Sequence, residues 1–160
     1  MQAVTDAHAA EVVAGALVRH AHEPGALLPV LHAVQDALGH VPPAQVPVIA
    51  AALNLSRAEV HGVLSYYHFF RAAPPGRHVV QVCRAEACQA CGAEALLAHA
   101  ERSLGCARQQ TRADGMVTLE AVYCLGLCAS SPAVQIGDRL HARVTPERFD
   151  RLVAGLEAAQ

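Results

Sequence analysis

The chain has 160 residues, which allows one domain or two small ones. Hydrophobic residues make up 53% and charged residues 16%, so there is ample material for a core and wholesale disorder is excluded. A formal net charge of −2 argues against a nucleic-acid surface, since phosphate binding needs clustered Lys and Arg. No cationic segment leads into an apolar run at the N-terminus, and no apolar stretch is long enough to span a bilayer. The expectation is a soluble, cytoplasmic protein without direct membrane insertion. Six Cys in a reducing compartment suit metal ligands, redox groups or buried thiols better than structural disulfides. Low charge and a positive mean hydropathy point to apolar surface that a partner covers.

In chain order, residues 1–6 read as a frayed end. Val12, Val13, Ala16 and Leu17 recur at helical spacing and predict a helix over 7–21, stopped by Glu23-Pro24-Gly25. Leu27, Val30, Leu31, Val34 and Leu38 share one face of a second helix over 26–38, with Gly39 as its C-terminal stop. A turn at Val41-Pro42-Pro43 leads to a short third helix over 43–53. Ser56 with Glu59 is a capping box, and Val60, Val63, Leu64, Tyr67 and Phe70 continue a fourth helix to about Arg71. The Tyr66-Tyr67-His68-Phe69-Phe70 cluster reads first as core packing, with a partner-facing aromatic edge as the alternative. Ala73-Pro74-Pro75-Gly76 marks a boundary.

Beyond it the period changes. His78 to Val82 is a predicted strand that ends at Cys83, and residues 94–104 are helical with Leu96, Leu97 and Leu104 inward. A strand over 107–111, a turn at Asp114-Gly115 and a strand over 116–122 stop just short of Cys124. Residues 133–136 and 139–143 form a second hairpin across Gly137-Asp138, and Thr145-Pro146 starts a last helix to about Ala158. The fold class is α+β: a helical bundle over 1–73, then a small mixed sheet with helices over 74–160.

Both cysteine pairs fall just past strand ends. Cys83 and Cys88 form C-x4-C, and Cys124 and Cys128 form C-x3-C with Gly126 between them. Four thiolates from two loops suit a tetrahedral metal or an iron–sulfur cluster. Structural zinc typically takes tighter C-x2-C knuckles. Cys88-Gln89-Ala90-Cys91 is a C-x-x-C at a predicted helix N-terminus, a pattern that suits a dithiol–disulfide site, but it leaves Cys83, Cys124 and Cys128 unexplained. A [2Fe–2S] cluster uses all four. Small residues Ala85, Ala87 and Ala129 let backbone amides approach the sulfurs, and Arg84 is a candidate for tuning the potential. Cys91 reads as a small buried residue and Cys106 as a loop thiol. The ten His show no second pair at ligand spacing and read as surface or core residues. No G-x-G-x-x-G follows a strand, so no dinucleotide site and no catalytic residue is assigned to this chain.

The cysteine pattern, Thr118-Leu119-Glu120 before Cys124-Leu125-Gly126, Ser131-Pro132-Ala133-Val134 after Cys128, and Val144-Thr145-Pro146-Glu147 resemble the thioredoxin-like [2Fe–2S] family. That family includes the E-type subunits of NADH-quinone oxidoreductase. Gly25 to Leu31 and Ala58 to Val63 extend the resemblance into the bundle, and the four cysteine positions match one for one. Within the family, Val82 to Gln89 most resembles the gamma subunit of soluble, molybdenum-containing NAD-dependent formate dehydrogenases; Cys91 departs from the family pattern. The resemblance implies a thioredoxin-like α/β domain, cis geometry at Pro132, and one [2Fe–2S] cluster on Cys83, Cys88, Cys124 and Cys128. It also implies docking onto a flavin- and NAD-binding subunit, with FMN, NAD and the molybdenum cofactor on partner subunits only. There the cluster would hold one electron of a two-electron flavin while the other moves on. The alternatives are an E-type subunit of NADH-quinone oxidoreductase or of a NAD-linked hydrogenase, a free-standing ferredoxin carrier, and a zinc-stabilised interaction module.

Overall fold

The computed structural model describes residues 5–157. Contacts divide the chain into two units, with the division between Pro74 and Pro75. The first helix starts where the Thr5 hydroxyl accepts from the His8 amide, and α1 runs Asp6–His20. α2, Leu27–Leu38, turns Val30, Leu31 and Val34 fully inward and ends at Gly39. The third helical segment starts tighter than the sequence predicts, as a 3-10 turn over Pro43–Gln45 that passes into α3, Val46–Ala52. Pro47 has no N–H to give the carbonyl of Pro43, so the α pattern cannot run through. Ser56 and Glu59 form the expected capping box on α4: the Ser56 amide donates to Glu59 Oε2 at 2.7 Å, and the Glu59 amide to Ser56 Oγ at 3.2 Å.

α4 is Arg57–Tyr66, one turn shorter than its apolar spacing predicts. The buried side chain of Gln35 on α2 captures the next segment. Its Nε2 donates to the Phe69 carbonyl and its Oε1 accepts from the Arg71 amide, both at 2.7 Å, while the Val41 amide donates to the Arg71 carbonyl at 2.8 Å. These three bonds replace the last helical turn and roll Phe70 into the core. His32 packs between Phe69 and Phe70, with ring centroids 5.0 and 5.1 Å away. Core packing therefore holds for Phe70, whereas Tyr66, Tyr67 and Phe69 are exposed.

The second unit is a five-stranded mixed sheet in the order β2-β3-β1-β4-β5. β1, His78–Cys83, lies parallel to β3, Val117–Val122, with Cys83 opposite Val122. β4, Val134–Ile136, runs antiparallel on the other side of β1; β2, Gln110–Thr111, and β5, Arg139–His141, close the edges. A parallel β1–β3 pair needs a crossover, and α5, Glu86–Ala90, and α6, Ala93–Leu104, provide it. α7, Pro146–Glu157, buries Phe149 completely against this sheet's core of Val80, Leu96, Leu119 and Val134.

The strand entry is sterically specified. A Cβ on Gly76 would lie 2.9 Å from the Val117 carbonyl carbon and 3.0 Å from the Gly115 oxygen, so only glycine fits. Its amide donates to the buried Thr118 Oγ1 at 2.6 Å. The Ser131–Pro132 peptide bond is cis, in agreement with the resemblance. Among the described residues no helix is long and apolar enough to cross a membrane.

Candidate metal centre

Because β1 and β3 are parallel and in register, both end at the same edge of the sheet. Cys83 is the last residue of β1, and Cys124 follows β3 by two residues. Cys88 lies in the middle of α5, a separate one-turn helix rather than the N-terminus of the following one as the sequence suggests, and Cys128 opens a 3-10 turn, Cys128–Ser130. Five residues are too few for a helix to show in apolar periodicity. Cys83 and Cys88 are buried with Ala93 and Ala133, and Ala85, Leu125 and Leu127 pack against them; Cys124 and Cys128 are exposed.

Cys124 itself takes a left-handed backbone, φ +78°, as does Gly126 at φ +79°. A non-glycine residue there is uncommon and marks a constrained loop. The turn directs successive amides toward sulfur, a nest of the kind that holds anions. The Gly126 amide donates to Cys124 Sγ at 3.4 Å. Burial opposes ionisation of Cys83, but amide donors from Ala85, Leu125 and Cys124, with the Cys88 thiol, outweigh it and set its pKa below the ordinary thiol value. Cys128 goes the other way. Its hydrogen bond to Cys124 and the charge of that neighbour raise its pKa, with smaller effects from burial and from Cys88 and Cys83.

The sulfurs come as two pairs. Cys124 Sγ and Cys128 Sγ are 3.8 Å apart, and Cys83 is within hydrogen-bonding reach of Cys88. A tetrahedral ion with metal–sulfur bonds of about 2.3 Å separates its sulfurs by about 3.8 Å, so the second pair already has the spacing of two ligands on one ion. Among the described residues, no group of three or more His, Cys, Asp or Glu side chains is placed to hold a single metal ion.

Two neighbours complete the site. Ser131 Oγ lies 3.4 Å from Cys88 Sγ and donates to the Cys128 carbonyl at 3.0 Å, linking the two loops. In the sequence Ser131 stands out only as part of the Ser131-Pro132-Ala133-Val134 stretch, with no role of its own. Arg84 is not a lone charge beside the cysteines: its Nε is 2.7 Å from Glu94 Oε1, so the tuning role expected of it is offset by a carboxylate. Cys91 is the C-terminal cap of α5 and is exposed, not the buried residue the sequence suggests. The helix breaks at left-handed Gly92 before α6 begins, so Cys91 falls in the exposed junction between two helices. Cys106 is half-buried, and burial raises its pKa.

A family model described as thioredoxin-like [2Fe-2S] ferredoxin matches residues 13–157. The chain belongs to this family. Proteins of the thioredoxin-like [2Fe–2S] family bind one [2Fe–2S] cluster, and the two cysteine pairs with their amide donors suit it. The chain is 35% identical over 150 residues to the E 2 subunit of NADH-quinone oxidoreductase from Rhizobium meliloti (strain 1021), covering 94% of this chain and 89% of the relative. It is 30% identical over 130 residues to the HndA subunit of the NADP-reducing hydrogenase of Solidesulfovibrio fructosivorans, covering 81% and 76%. Among solved structures, NAD+-reducing [NiFe]-hydrogenase in the H2-reduced state superposes with a TM-score of 0.64 at 25% identity, over 81% of this chain. This chain spans 22% of that hydrogenase chain.

Proposed function

We propose that this chain is an electron-transfer subunit of a cytoplasmic, NAD-linked oxidoreductase complex, with its cluster held by Cys83, Cys88, Cys124 and Cys128. The observation that carries the reading is the meeting of the two cysteine loops at one sheet edge, with amides of Ala85, Cys124, Leu125 and Gly126 aimed at sulfur. Relatives named as NADH-quinone oxidoreductase and hydrogenase subunits support the class of complex. So does the hydrogenase chain in which the matching fold is one part of a much longer polypeptide. The flavin- and NAD-binding site and the catalytic subunit belong to partners in this reading. As the finer assignment we take a NAD-dependent formate dehydrogenase with a molybdenum-containing catalytic subunit, on the resemblance of Val82 to Gln89 to its gamma subunit.

When bound, the cluster supplies one-electron storage and transfer. The chain's own part is to hold four thiolates and to stabilise their charge. Each amide aimed at sulfur favours the more negative, reduced state and so raises the midpoint potential. The apolar side chains around Cys83 and Cys88 keep water from that half of the site. Ser131 adds a hydroxyl between the loops. Once Cys88 is a thiolate it can only accept in its 3.4 Å contact with Ser131, so the hydroxyl must turn its single proton from the Cys128 carbonyl to that sulfur. Ser131→Ala is then expected to lower the midpoint potential by roughly 20–60 mV, the equivalent of one hydrogen bond, while the iron content stays unchanged. An electron paramagnetic resonance titration with no shift would remove Ser131 from the tuning set.

Anaerobic purification tests the reading directly. Two irons and two sulfides per chain, with a flavoprotein in the same complex, are the expected result. Zinc in place of iron would overturn the electron-transfer assignment. Iron and sulfide without any flavoprotein would favour a free carrier. Molybdenum and formate-dependent NAD reduction in the complex select formate dehydrogenase; their absence selects an NADH-quinone oxidoreductase or hydrogenase type.

A further inference from the structure

A groove of about 790 Å³ opens on the N-terminal unit, among the turn after α1, the start of α2, the turn after α3 and one face of α4. Its walls are Leu27, Leu53, Leu55, Val63 and the rings of Tyr66 and Tyr67. The leucines and Val63 are only half-buried, and Tyr66 is 75% exposed. The two tyrosines stand edge to face at 5.1 Å, which orders them without covering them. Rigid, exposed tyrosines over a trough of half-buried aliphatic side chains are the makings of an interaction hot spot.

Two further observations specify the occupant. Gly62 lies in the middle of α4, where glycine weakens a helix relative to alanine. A Cβ on Gly62 would meet nothing within 4 Å, so neither packing nor backbone shape requires glycine; what its small size gives is an open floor to the groove. The charged residues lining the groove are Glu23 and Glu59, both acidic. Their field favours a segment that brings Lys or Arg together with apolar side chains, and disfavours an acidic one. An amphipathic helix laid by its apolar face into a groove is the recognition mode with these requirements.

We propose that this groove seats an amphipathic segment of the flavin- and NAD-binding partner subunit, with apolar side chains against Tyr66, Tyr67 and Leu55 and a Lys or Arg facing Glu23 and Glu59. The inference rests on the reading of the chain as a subunit of such a complex. It adds which surface docks and what the docking segment is made of.

The test uses the cluster-loaded chain and the purified flavin-binding subunit of its complex. Gly62→Trp adds its ring to the groove from a position where a Cβ meets nothing within 4 Å, and is expected to weaken binding roughly tenfold or more while iron content and melting temperature hold. Gly155→Trp, on α7 with equally open space, is the control and leaves binding unchanged. Glu23→Lys weakens binding more at low salt than at high salt. A benzoylphenylalanine photo-crosslinker placed at position 66 is expected to label a peptide of the flavin subunit that contains Lys or Arg among apolar residues. Unchanged binding by Gly62→Trp, or crosslinking only to a second copy of this chain, overturns the proposal. If the unaltered chain carries its cluster yet does not bind the flavin subunit, the subunit reading itself fails. If it binds and Gly62→Trp binds equally, only the groove assignment falls.

Discussion

Serine in place of Cys83, Cys88, Cys124 or Cys128, one at a time, strips or severely destabilises the cluster, and Cys91→Ser leaves it in place. A serine hydroxyl loses its proton far less readily than a thiol, so each replacement takes away an anionic ligand. The effect is expected to be more complete on the buried side. Cys83 and Cys88 are enclosed with Ala93 and Ala133, where a hydroxyl finds neither water nor a neighbouring anion to replace it. Cys124 and Cys128 are exposed, and a labile remnant is expected for Cys124→Ser and Cys128→Ser because solvent can fill the missing position. Cys91 caps α5 from outside, three residues along the chain from Cys88, and its replacement removes no group from the apolar pocket. Iron per chain and visible absorbance after anaerobic gel filtration measure all five variants. A Cys91→Ser chain without iron, beside a Cys88→Ser chain that keeps it, would move the fourth ligand from Cys88 to Cys91.

Phe149→Ala is the second change with a large effect. Phe149 is fully buried, and its ring meets the His99 ring edge to face at 6.2 Å. Truncating a buried phenylalanine costs about 3–5 kcal/mol through lost burial and the cavity left behind. A domain of this size holds only about 5–15 kcal/mol in total, so the variant's cluster-bearing unit is expected to melt at least ~12 °C lower. Asp150, the next residue, accepts from Ser103 at 2.9 Å and lies 2.7 Å from His99 Nε2, so α7 remains tethered to α6 and the loss reports on packing. Circular dichroism melts of the two chains measure it. A drop of under about 3 °C would mean that the sheet and α7 collapse around the vacancy.

Much of the fold is legible in local signals. The capping box at Ser56 and Glu59, the stop at Gly39, the turn at Asp114-Gly115 and the start of α7 at Thr145-Pro146 each appear where their residues stand. The departures have separate causes. Helical spacing of Tyr67 and Phe70 extends α4 to Arg71, but Gln35, more than thirty residues away in sequence, offers the backbone better partners. Exposure of Tyr66, Tyr67 and Phe69 follows from that same capture. Cys91 reads as buried only while α5 and α6 are taken as one helix, and the left-handed turn at Gly92 separates them.

The sequence by itself determined the ligand inventory: two cysteine pairs, each behind a strand, with Gly126 between the second two. Residue type and short spacing are covalent facts, and they narrow the chemistry before any fold is known. Tertiary structure alone decided how the pairs are used. Parallel register sets Cys83 beside Val122 and brings both loops to one edge. The left-handed turn at Cys124 aims amides at sulfur, Ser131 links the loops, and Glu94 offsets Arg84. Apart from the Cys124 turn itself, these are contacts between residues distant along the chain. Their formation depends on strand pairing and on competition among hydrogen-bond partners, which local spacing does not encode.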